Sequence, residues 1–414
     1  MNEARAPNSE AAALPVQQLP RSIWALGFVS MLMDISSEMI HGLLPVFLAN
    51  VLNASATTIG LIEGIGEATA SISKLFSGWI SDRIGKRKPL IVLGYGLAAL
   101  SKPLFAVATT PAWVLLARFS DRIGKGFRDA PRDALVGDLV PREARGAAYG
   151  LRQSLDIVGA FVGPLLAIAL MALFKDNFRL IFWLAIIPAL ISVAVLILGV
   201  REAADHRKAE QPQATIHWNE FRRLGRPFWF VVVVGALLTL ARFSEAFLIL
   251  RAQGAGLRVA LAPLVLVVMN VVYSGSAYPA GKLSDRLDRG RMLATGFVVL
   301  VLADVALALP LGLAVVMLGV ALWGLHMGLT QGVLAALVAD TAPVALRGTA
   351  FGLFNLVSGI ALLLASLIAG ALWQMIGPQA TFIAGAAFTA AGLVGSVRFW
   401  GTPRKGAPGG DVSP

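Results

Sequence analysis

The sequence predicts an all-α membrane protein whose twelve transmembrane helices form two pseudo-symmetric six-helix bundles. The chain of 414 residues is 57% hydrophobic and 14% charged, with a mean hydropathy of +0.74, whereas soluble domains carry about 25% charged residues. Its apolar residues form runs of roughly 20, which as helix cross about 30 Å of hydrocarbon. A charged motif occurs twice, half a chain apart, as expected of a duplicated bundle.

The apolar runs follow one another along the whole chain. They lack the alternating pattern of about ten residues that β-barrel strands show, so each is taken as one helix. Helices 1 to 12 are predicted near residues 22–50, 58–81, 89–109, 112–136, 146–173, 178–200, 227–251, 258–281, 292–310, 312–338, 348–375 and 379–400.

One long polar interruption divides the chain. The segment 201–226 is predicted to be a linker between an N-terminal bundle (22–200) and a C-terminal bundle (227–400). Residues 1–21 and 401–414 are polar and rich in Pro, Ala or Gly, which predicts disordered tails. The first tail lacks the charged and apolar regions of a signal peptide.

The formal charge of +11 follows from topology. Basic residues concentrate in alternate loops, and the intervening loops hold few, such as Lys175, Arg179 and Arg258. By the positive-inside rule, both tails and the linker are cytoplasmic. We therefore predict a multi-pass protein of the plasma membrane (the bacterial inner membrane). Its basic loops are predicted to contact lipid head groups and not nucleic acid.

The internal repeat has two matched parts. Gly78–Lys88 matches Gly281–Arg291 (285 − 82 = 203), and Arg145–Leu151 matches Arg347–Leu353 (347 − 145 = 202). Because each half has an even number of helices, both halves enter the membrane from the same side. The repeat is therefore parallel, about an axis along the membrane normal.

From about residue 22 to 400 the chain resembles the major facilitator superfamily. That family carries a G-x-x-x-D-R-x-G-R-R type motif between helices 2 and 3. In the first copy the matching residues are Gly78, Asp82, Arg83, Gly85 and Arg87. In the second copy they are Gly281, Asp285 and Arg286. Asp288 replaces the second glycine in the later copy. The resemblance implies the major facilitator fold and a gating hinge in which Asp82 meets the start of a neighbouring helix. The alternative is a plain hairpin of topogenic charges.

Charged side chains inside the membrane are costly, so they should face one another or a wet cavity. Asp34, Glu38 and His41 have the spacing i, i+4, i+7 and share one face of helix 1. The resemblance implies that helices 1, 4, 7 and 10 line a central cavity. It thereby places these residues within reach of substrate: Asp34, Glu38, His41, Arg118, Arg122, Arg242, Glu245 and His326.

The acids of helix 1 predict proton coupling. Carboxyl groups in apolar surroundings can take up and release protons near neutral pH, and Asp34 and Glu38 are expected to hold one proton between them. An approaching arginine, for which Arg118, Arg122 and Arg152 are the candidates, would expel it. Glu67, Asp156, Arg242 and Glu245 complete the predicted coupling or substrate residues. The alternative is a static network of salt bridges.

The two halves differ in charge. Asn270 stands where the first half has Glu67 (270 − 67 = 203), so coupling is predicted mainly in the first half. Residues 128–133 of helix 4 are predicted to be structural and to pair with the hinge at 82–88.

Helix 5 contains Gly159-x-x-x-Gly163-Pro164, which resembles a motif associated with antiporters of this family. Ala167 and Ile168 replace the motif's terminal glycine pair. The alternative is an ordinary packing face, because small residues at this spacing let helices approach closely.

The sequence lacks the motifs that are typical of several other classes of protein. No G-x-x-x-x-G-K-[ST] loop is present, which disfavours an ATP-driven pump. There are no cysteines and only four scattered histidines, so no metal site or cofactor is predicted, and no soluble domain suggests an enzyme. The resemblance predicts a monomeric secondary transporter that moves a small organic solute by alternating access, coupled to protons and favouring efflux by antiport. The alternatives are proton-coupled uptake of an anionic solute, or a non-transporting scramblase or sensor.

Overall fold

The structure, a computed structural model, describes residues 19–84, 86–141, 144–202, 224–284, 288–343 and 346–400. All regular secondary structure in these ranges is helical. Most of the two predicted tails and of the linker 201–226 lies outside them.

Twelve helical elements occur in the predicted order, and three of them are split into two segments. The split elements are α1a (Arg21–His41) with α1b (Leu44–Asn50), α6a (Phe178–Leu184) with α6b (Ile186–Gly199), and α7a (Arg226–Ala241) with α7b (Ala246–Gly254). The continuous ones are α2 (Ala56–Ile84), α3 (Lys88–Val107), α4 (Pro111–Asp138), α5 (Arg145–Leu173), α8 (Leu264–Ser284), α9 (Arg289–Ala308), α10 (Leu313–Thr341), α11 (Arg347–Met375) and α12 (Pro378–Trp400). The all-α prediction with twelve helices is confirmed.

The outer surface suits lipid. Within the described ranges, nine elements are long and apolar enough to cross a membrane. Large side chains such as Leu100 and Leu198 are 73% and 81% exposed, an arrangement that water penalises and hydrocarbon does not. The protein is therefore a multi-pass integral membrane protein.

Helix 7 differs from its prediction as one continuous helix over 227–251. The chain leaves helical geometry between Ala241 and Ala246. Just before the restart, Ser244 Oγ accepts a hydrogen bond from Ala246 N, the first residue of α7b, at 3.2 Å, and Glu245 occupies the N-cap position. The Ser244 N–H donates to Ser366 Oγ at 3.3 Å. The signal in the sequence was a polar Arg-Phe-Ser-Glu segment inside an apolar run.

The chain divides into two compact units. Unit 1 comprises Met1–Ala54, Ile65–Thr215 and Arg258–Val267, and unit 2 comprises Ser55–Gly64, Ile216–Leu257 and Val268–Pro414. The start of α2 thus groups with unit 2, and the 3₁₀ turn Val259–Leu261 before α8 groups with unit 1. The bundle boundaries at 200 and 227 stay a prediction.

Glycines bring α3 and α4 of unit 1 into backbone contact. A Cβ atom on Gly94 would lie 2.7 Å from Gly124 O, and a Cβ atom on Gly124 would lie 2.7 Å from Gly94 O. The absence of side chains here lets the two helices approach closely. This approach brings the polar side chains of α3 within reach of α4.

Aromatic side chains form the core of unit 2 around the break in helix 7. The ring of Phe243 lies 5.6 Å from Phe247 and 5.5 Å from both Trp323 and Phe382. Trp373 contacts Phe247 and Phe382. The break is therefore packed against α10, α11 and α12.

The internal repeat is visible as repeated contacts. Arg87 Nε donates to Asp138 Oδ2 at 2.6 Å, and Arg289 forms an ion pair with Asp340. The two arginines and the two aspartates each differ by the same number of residues (289 − 87 = 202, 340 − 138 = 202). The same contact therefore joins the start of the third helix to the end of the fourth in each half.

A second contact repeats at that offset. Arg145 Nε donates to Gly137 O at 3.2 Å, and Arg347 Nε donates to Ala339 O at 3.1 Å (347 − 145 = 202, 339 − 137 = 202). In each half the arginine that begins the fifth helix satisfies a carbonyl in the last turn of the fourth, where carbonyls lack helical partners.

Candidate functional site

The polar residues of unit 1 form a buried basic face opposed by partly exposed acids. Four arginines of α4 are only 3–7% exposed, namely Arg118, Arg122, Arg128 and Arg132. Their successive spacings of four, six and four residues keep them on one side of the helix. The side chains of Asp34, Glu38 and Glu67 are 31%, 24% and 33% exposed. The fixed positive charge thus lies behind acids that reach the surface of the unit.

Asp34 lies beside Arg128. Its Oδ1 is 3.9 Å from Arg128 Nη2, which is the outer limit of an ion pair. The guanidinium of Arg128 stacks over the Tyr95 ring at 4.8 Å, a favourable cation–π arrangement. Arg128 Nε also lies 3.7 Å from Asp129. Arg128 is therefore held in place without Asp34.

A chain of ion pairs continues from this point to α5. Arg132 donates to Ser30 Oγ at 3.0 Å and to Asp133 Oδ1 at 3.2 Å. Asp133 lies 3.7 Å from Arg152, which donates to Asp156 Oδ2 at 2.7 Å. The predicted i, i+4 pair Arg152–Asp156 is thus present as a tight contact.

Glu67 faces the other two arginines. Its Oε1 lies 3.5 Å from Arg122 Nη2 and 3.8 Å from Arg118 Nη2. The preceding Gly66 makes room for them, since a Cβ atom there would lie 3.1 Å from Arg118 Cγ. Like Asp34, Glu67 therefore meets buried arginine through long contacts.

Lys102 and Asp121 form a buried ion pair that the sequence did not lead us to expect. Lys102 Nζ donates to Asp121 Oδ1 at 2.8 Å and to Ser37 Oγ at 3.0 Å. The two charged side chains are 2% and 7% exposed. Asp121 Oδ2 also lies 4.0 Å from Arg122 Nε, so the pair fixes the acid beside that arginine.

Helix α5 packs tightly on the acidic face of α1a. A Cβ atom on Gly159 would lie 2.7 Å from Met31 O and 2.9 Å from Asp34 Cβ, and one on Gly163 would lie 2.7 Å from Glu38 Cβ. Both glycines thus form a packing face that positions the two predicted coupling acids. Pro164 is buried within α5 and does not end the helix. Glu38 Oε2 lies 3.6 Å from His41 Nδ1.

Changing Gly163 to alanine is expected to destabilise the protein by about 1–3 kcal/mol, because the added methyl overpacks the α1a–α5 contact. The thermal unfolding midpoint measures this. Gly150→Ala on the same helix is the matched control, since a Cβ atom there meets nothing within 4 Å. Equal midpoints for the two variants would refute the packing interpretation.

In unit 2 the predicted residues lie near one another, since Arg242 is close enough to Glu245 and to His326 to interact electrostatically with both. Arg242 and Glu245 flank the break in helix 7. His326 is fully buried, and its Nδ1 donates to Gly296 O at 2.8 Å. His326 is therefore buried within unit 2, and its place beside a substrate cavity stays a prediction.

The hinge residues are partly described. Gly78 lies in α2, and a Cβ atom there would make an ordinary contact with Ala130. Arg83 stacks over the Trp79 ring at 5.4 Å. A Cβ atom on Gly281 would meet nothing within 4 Å. The side chain of Asp82, and residues Gly85, Asp285 and Arg286, lie outside the described part of the chain.

The structure assigns partners that differ from those predicted. The arginine beside Asp34 is Arg128 and not Arg118, Arg122 or Arg152, and the 128–133 segment contacts α1a, α3 and α5. The 128–133 segment was predicted to pair with the hinge at 82–88. The hinge residue Arg87 instead forms an ion pair with Asp138, farther along α4. Arg128, Tyr95 and Lys102 were missed as parts of the site. Lys102 carried a signal, as a lone charge inside helix 3.

No group of three or more His, Cys, Asp or Glu residues that could hold a metal ion occurs in the described ranges.

A duplicated set of membrane helices, with buried charge concentrated on one face of α4 in the first half, defines a polytopic membrane protein. A family model for the Major Facilitator Superfamily matches residues 26–366 and, again, 246–412. The chain belongs to this superfamily.

Relatives agree with this assignment. The chain is 31% identical over 379 residues to "Uncharacterized MFS-type transporter MJ1317" of Methanocaldococcus jannaschii, covering 89% of this chain and 92% of that protein. It is 31% identical over 157 residues, 38% of each chain, to "Multidrug resistance protein MdtH" of Photorhabdus laumondii. The structure of nucleoside transporter NupG superposes with a TM-score of 0.78 at 13% identity, covering 91% of this chain and 99% of that one, which shows a common fold.

Proposed function

We propose that this protein is a secondary active transporter that moves a small organic solute by alternating access, coupled to protons, and that it works in efflux by antiport. The observation that carries the proposal is Asp34, a partly exposed carboxylate 3.9 Å from an arginine that other groups hold in place. Such an acid can change partners, as coupling requires.

Contact lengths separate exchangeable pairs from structural ones. Lys102–Asp121 and Arg152–Asp156 are short, at 2.8 and 2.7 Å, and at most 17% exposed. The contact of Asp34 with Arg128 is 3.9 Å long, and this acid is about one-third exposed. A long, exposed contact costs little to break, so protons can compete with arginine at Asp34.

The coupling cycle uses the acids of α1a in turn. When Asp34 is open to water and away from Arg128, the cost of an unpaired carboxylate in apolar surroundings favours protonation. When Arg128 approaches, the positive charge favours release of that proton. Glu38 with His41 provides a neighbouring exchange partner, and Arg152 and Asp156 hold the end of the network in position.

Efflux by antiport is supported by the helix-5 motif at Gly159 and Gly163 and by the relative named a multidrug resistance protein. Uptake of an anionic solute is the second candidate. The buried side chains of Arg118 and Arg122 favour it, since both guanidinium groups lie beside Glu67 and together concentrate positive charge there. Arg242 and Glu245 at the helix 7 break are proposed substrate contacts in unit 2.

The test uses purified protein in proteoliposomes with an imposed pH gradient, a panel of lipophilic amines and organic anions, and an internal pH dye. Antiport predicts that an acidic interior drives solute inward while protons leave. Symport predicts that an acidic exterior drives solute and protons inward together. Absence of both counterflow and proton movement across the panel would refute the transporter proposal in favour of a non-transporting role.

We further propose that the hinge at Gly78–Arg87, with its weaker copy at Gly281, Asp285 and Arg286, gates the cytoplasmic side. Changing Asp82 to asparagine is expected to slow turnover by roughly tenfold, equivalent to about 1.4 kcal/mol on the barrier, with little change in substrate affinity. Transport and binding assays on the same preparation separate the two effects. Asp285→Asn is the matched comparison and should have a smaller effect. Wild-type turnover in Asp82→Asn would leave the hinge a topogenic hairpin.

The remaining parts of the proposal follow from charge and fold. The protein works as a monomer in the plasma (bacterial inner) membrane with both termini cytoplasmic, and its basic loops contact lipid head groups.

A further inference from the structure

Asp304 in α9 is a buried acid that the proposed coupling network does not use. Its side chain is fully buried. Within the described part of the chain, neither carboxylate oxygen has a hydrogen-bond partner, and no cationic side chain forms an ion pair with it. A buried ionised carboxylate without compensation costs several kcal/mol. The site therefore requires a positive charge that the protein's own side chains do not supply.

A second oxygen borders the same space. The position that a Cβ atom of Gly385 would occupy lies 2.9 Å from Asp304 Oδ2 and 3.2 Å from Ala241 O. Ala241 is the last residue of α7a, so its carbonyl lies at the negative end of a helix dipole. Carbonyls in the last turn of a helix also lack helical partners. A carboxylate is unfavourable at this end of a helix, whereas a cation is favourable.

The charged groups of the surrounding elements do not provide that cation. On α10, the packing partner of α9, His326 donates to Gly296 O. Arg251 of α7b donates to Leu307 O and Leu309 O, beyond Asp304 on α9. Arg242 follows Ala241 but forms no ion pair with Asp304. The other ionisable groups on or beside these elements are Arg226 at the start of α7a, Glu245 just before α7b, Arg289 and Arg291 at the start of α9, and Asp340 at the end of α10. On α12, residues 378–394 contain none.

We propose that Asp304 and the carbonyl of Ala241, which both approach Gly385, form a binding site for a monovalent cation, either a proton carried on the carboxyl or a bound Na⁺. Broken membrane helices present carbonyls in this way, and such ends coordinate Na⁺ or protons in membrane transporters. The site lies within unit 2 and is independent of Asp34 and its arginines. It makes the break in helix 7 a cation-sensitive element.

The test measures thermal unfolding of the purified full-length protein by tryptophan fluorescence, which suits a chain with nine tryptophans and no cysteine. Wild type and Asp304→Asn are compared in NaCl against choline chloride at pH 8, and across pH 5–8 without Na⁺. If Na⁺ binds, the wild-type midpoint rises by about 2 °C at ten times the dissociation constant, and Asp304→Asn abolishes the rise. If a proton binds, the wild-type midpoint falls as pH rises, because the folded state holds the extra proton, and the variant removes this slope.

Two further variants make the result decisive. Gly385→Ala places a methyl against Asp304 Oδ2 and is expected to weaken either response at least severalfold while leaving Asp304 in place. Asp176→Asn, the same chemical change at an exposed acid of unit 1, should keep both responses. The readout needs no transport, so this test is separate from that of the coupling proposal. If Asp304→Asn and wild type respond identically to Na⁺ and to pH, the cation site is refuted.

Discussion

Replacing Asp34 with asparagine is expected to abolish accumulation driven by a pH gradient while substrate binding is retained. For exchange of one proton per solute, a gradient of one pH unit supports about tenfold accumulation, because one unit corresponds to about 1.4 kcal/mol. The variant should bring this ratio to about one, since an amide cannot carry the proton that Arg128 displaces. The measurement is solute accumulation and counterflow in proteoliposomes, where counterflow needs no proton gradient.

Asp176→Asn is the matched control for this experiment. It makes the same chemical change at an exposed position of the same unit, with a positive φ of 61° that asparagine accepts. It should leave accumulation unchanged. Full pH-driven accumulation in Asp34→Asn would remove this residue from the coupling path and leave the network of α1a, α4 and α5 as static salt bridges.

Replacing Lys102 with methionine is expected to destabilise the protein by about 3–5 kcal/mol, because it leaves Asp121 buried without its partner. The double change Lys102→Met with Asp121→Leu should recover most of that loss, since a buried pair replaced by apolar side chains costs little. The free energy of unfolding, from denaturant titration in mixed micelles, distinguishes the three proteins.

Breaking an exposed ion pair is the control for this measurement. Arg87→Gln removes the contact with Asp138, which is 54% exposed, and should cost about 1 kcal/mol or less. If Lys102→Met unfolds like wild type but loses transport, Lys102 acts in the transport cycle and not as a structural cation.

Part of the candidate site could be predicted from the sequence, because helical spacing places residues on faces. The shared face of Asp34 and Glu38, the Arg152–Asp156 pair and the repeated hinge needed only local periodicity. The choice of arginine opposite Asp34 could not be predicted. It depends on how far α3 and α4 slide along each other, which the Gly94–Gly124 contact sets, and on the Tyr95 ring that holds Arg128.

The break in helix 7 illustrates the same limit. Its apolar run has the length and composition of one membrane helix, and composition alone favours continuity. Whether the helix continues through Ser244 or breaks there depends on a partner 122 residues away, Ser366, which accepts a hydrogen bond from the Ser244 N–H. Only the folded chain provides that partner.

The sequence by itself determined the class of the protein, the number and order of its helices, and its duplication. These follow from the length of apolar runs and from a repeat at a constant offset, both local properties of the chain. The tertiary structure decided which charges meet, which are locked in short buried pairs, and that Asp304 has no partner in the described part of the chain. Those outcomes depend on contacts between helices that are distant in sequence. A change of about 1 Å in the distance between two charged groups decides whether they form an ion pair or leave a charge uncompensated.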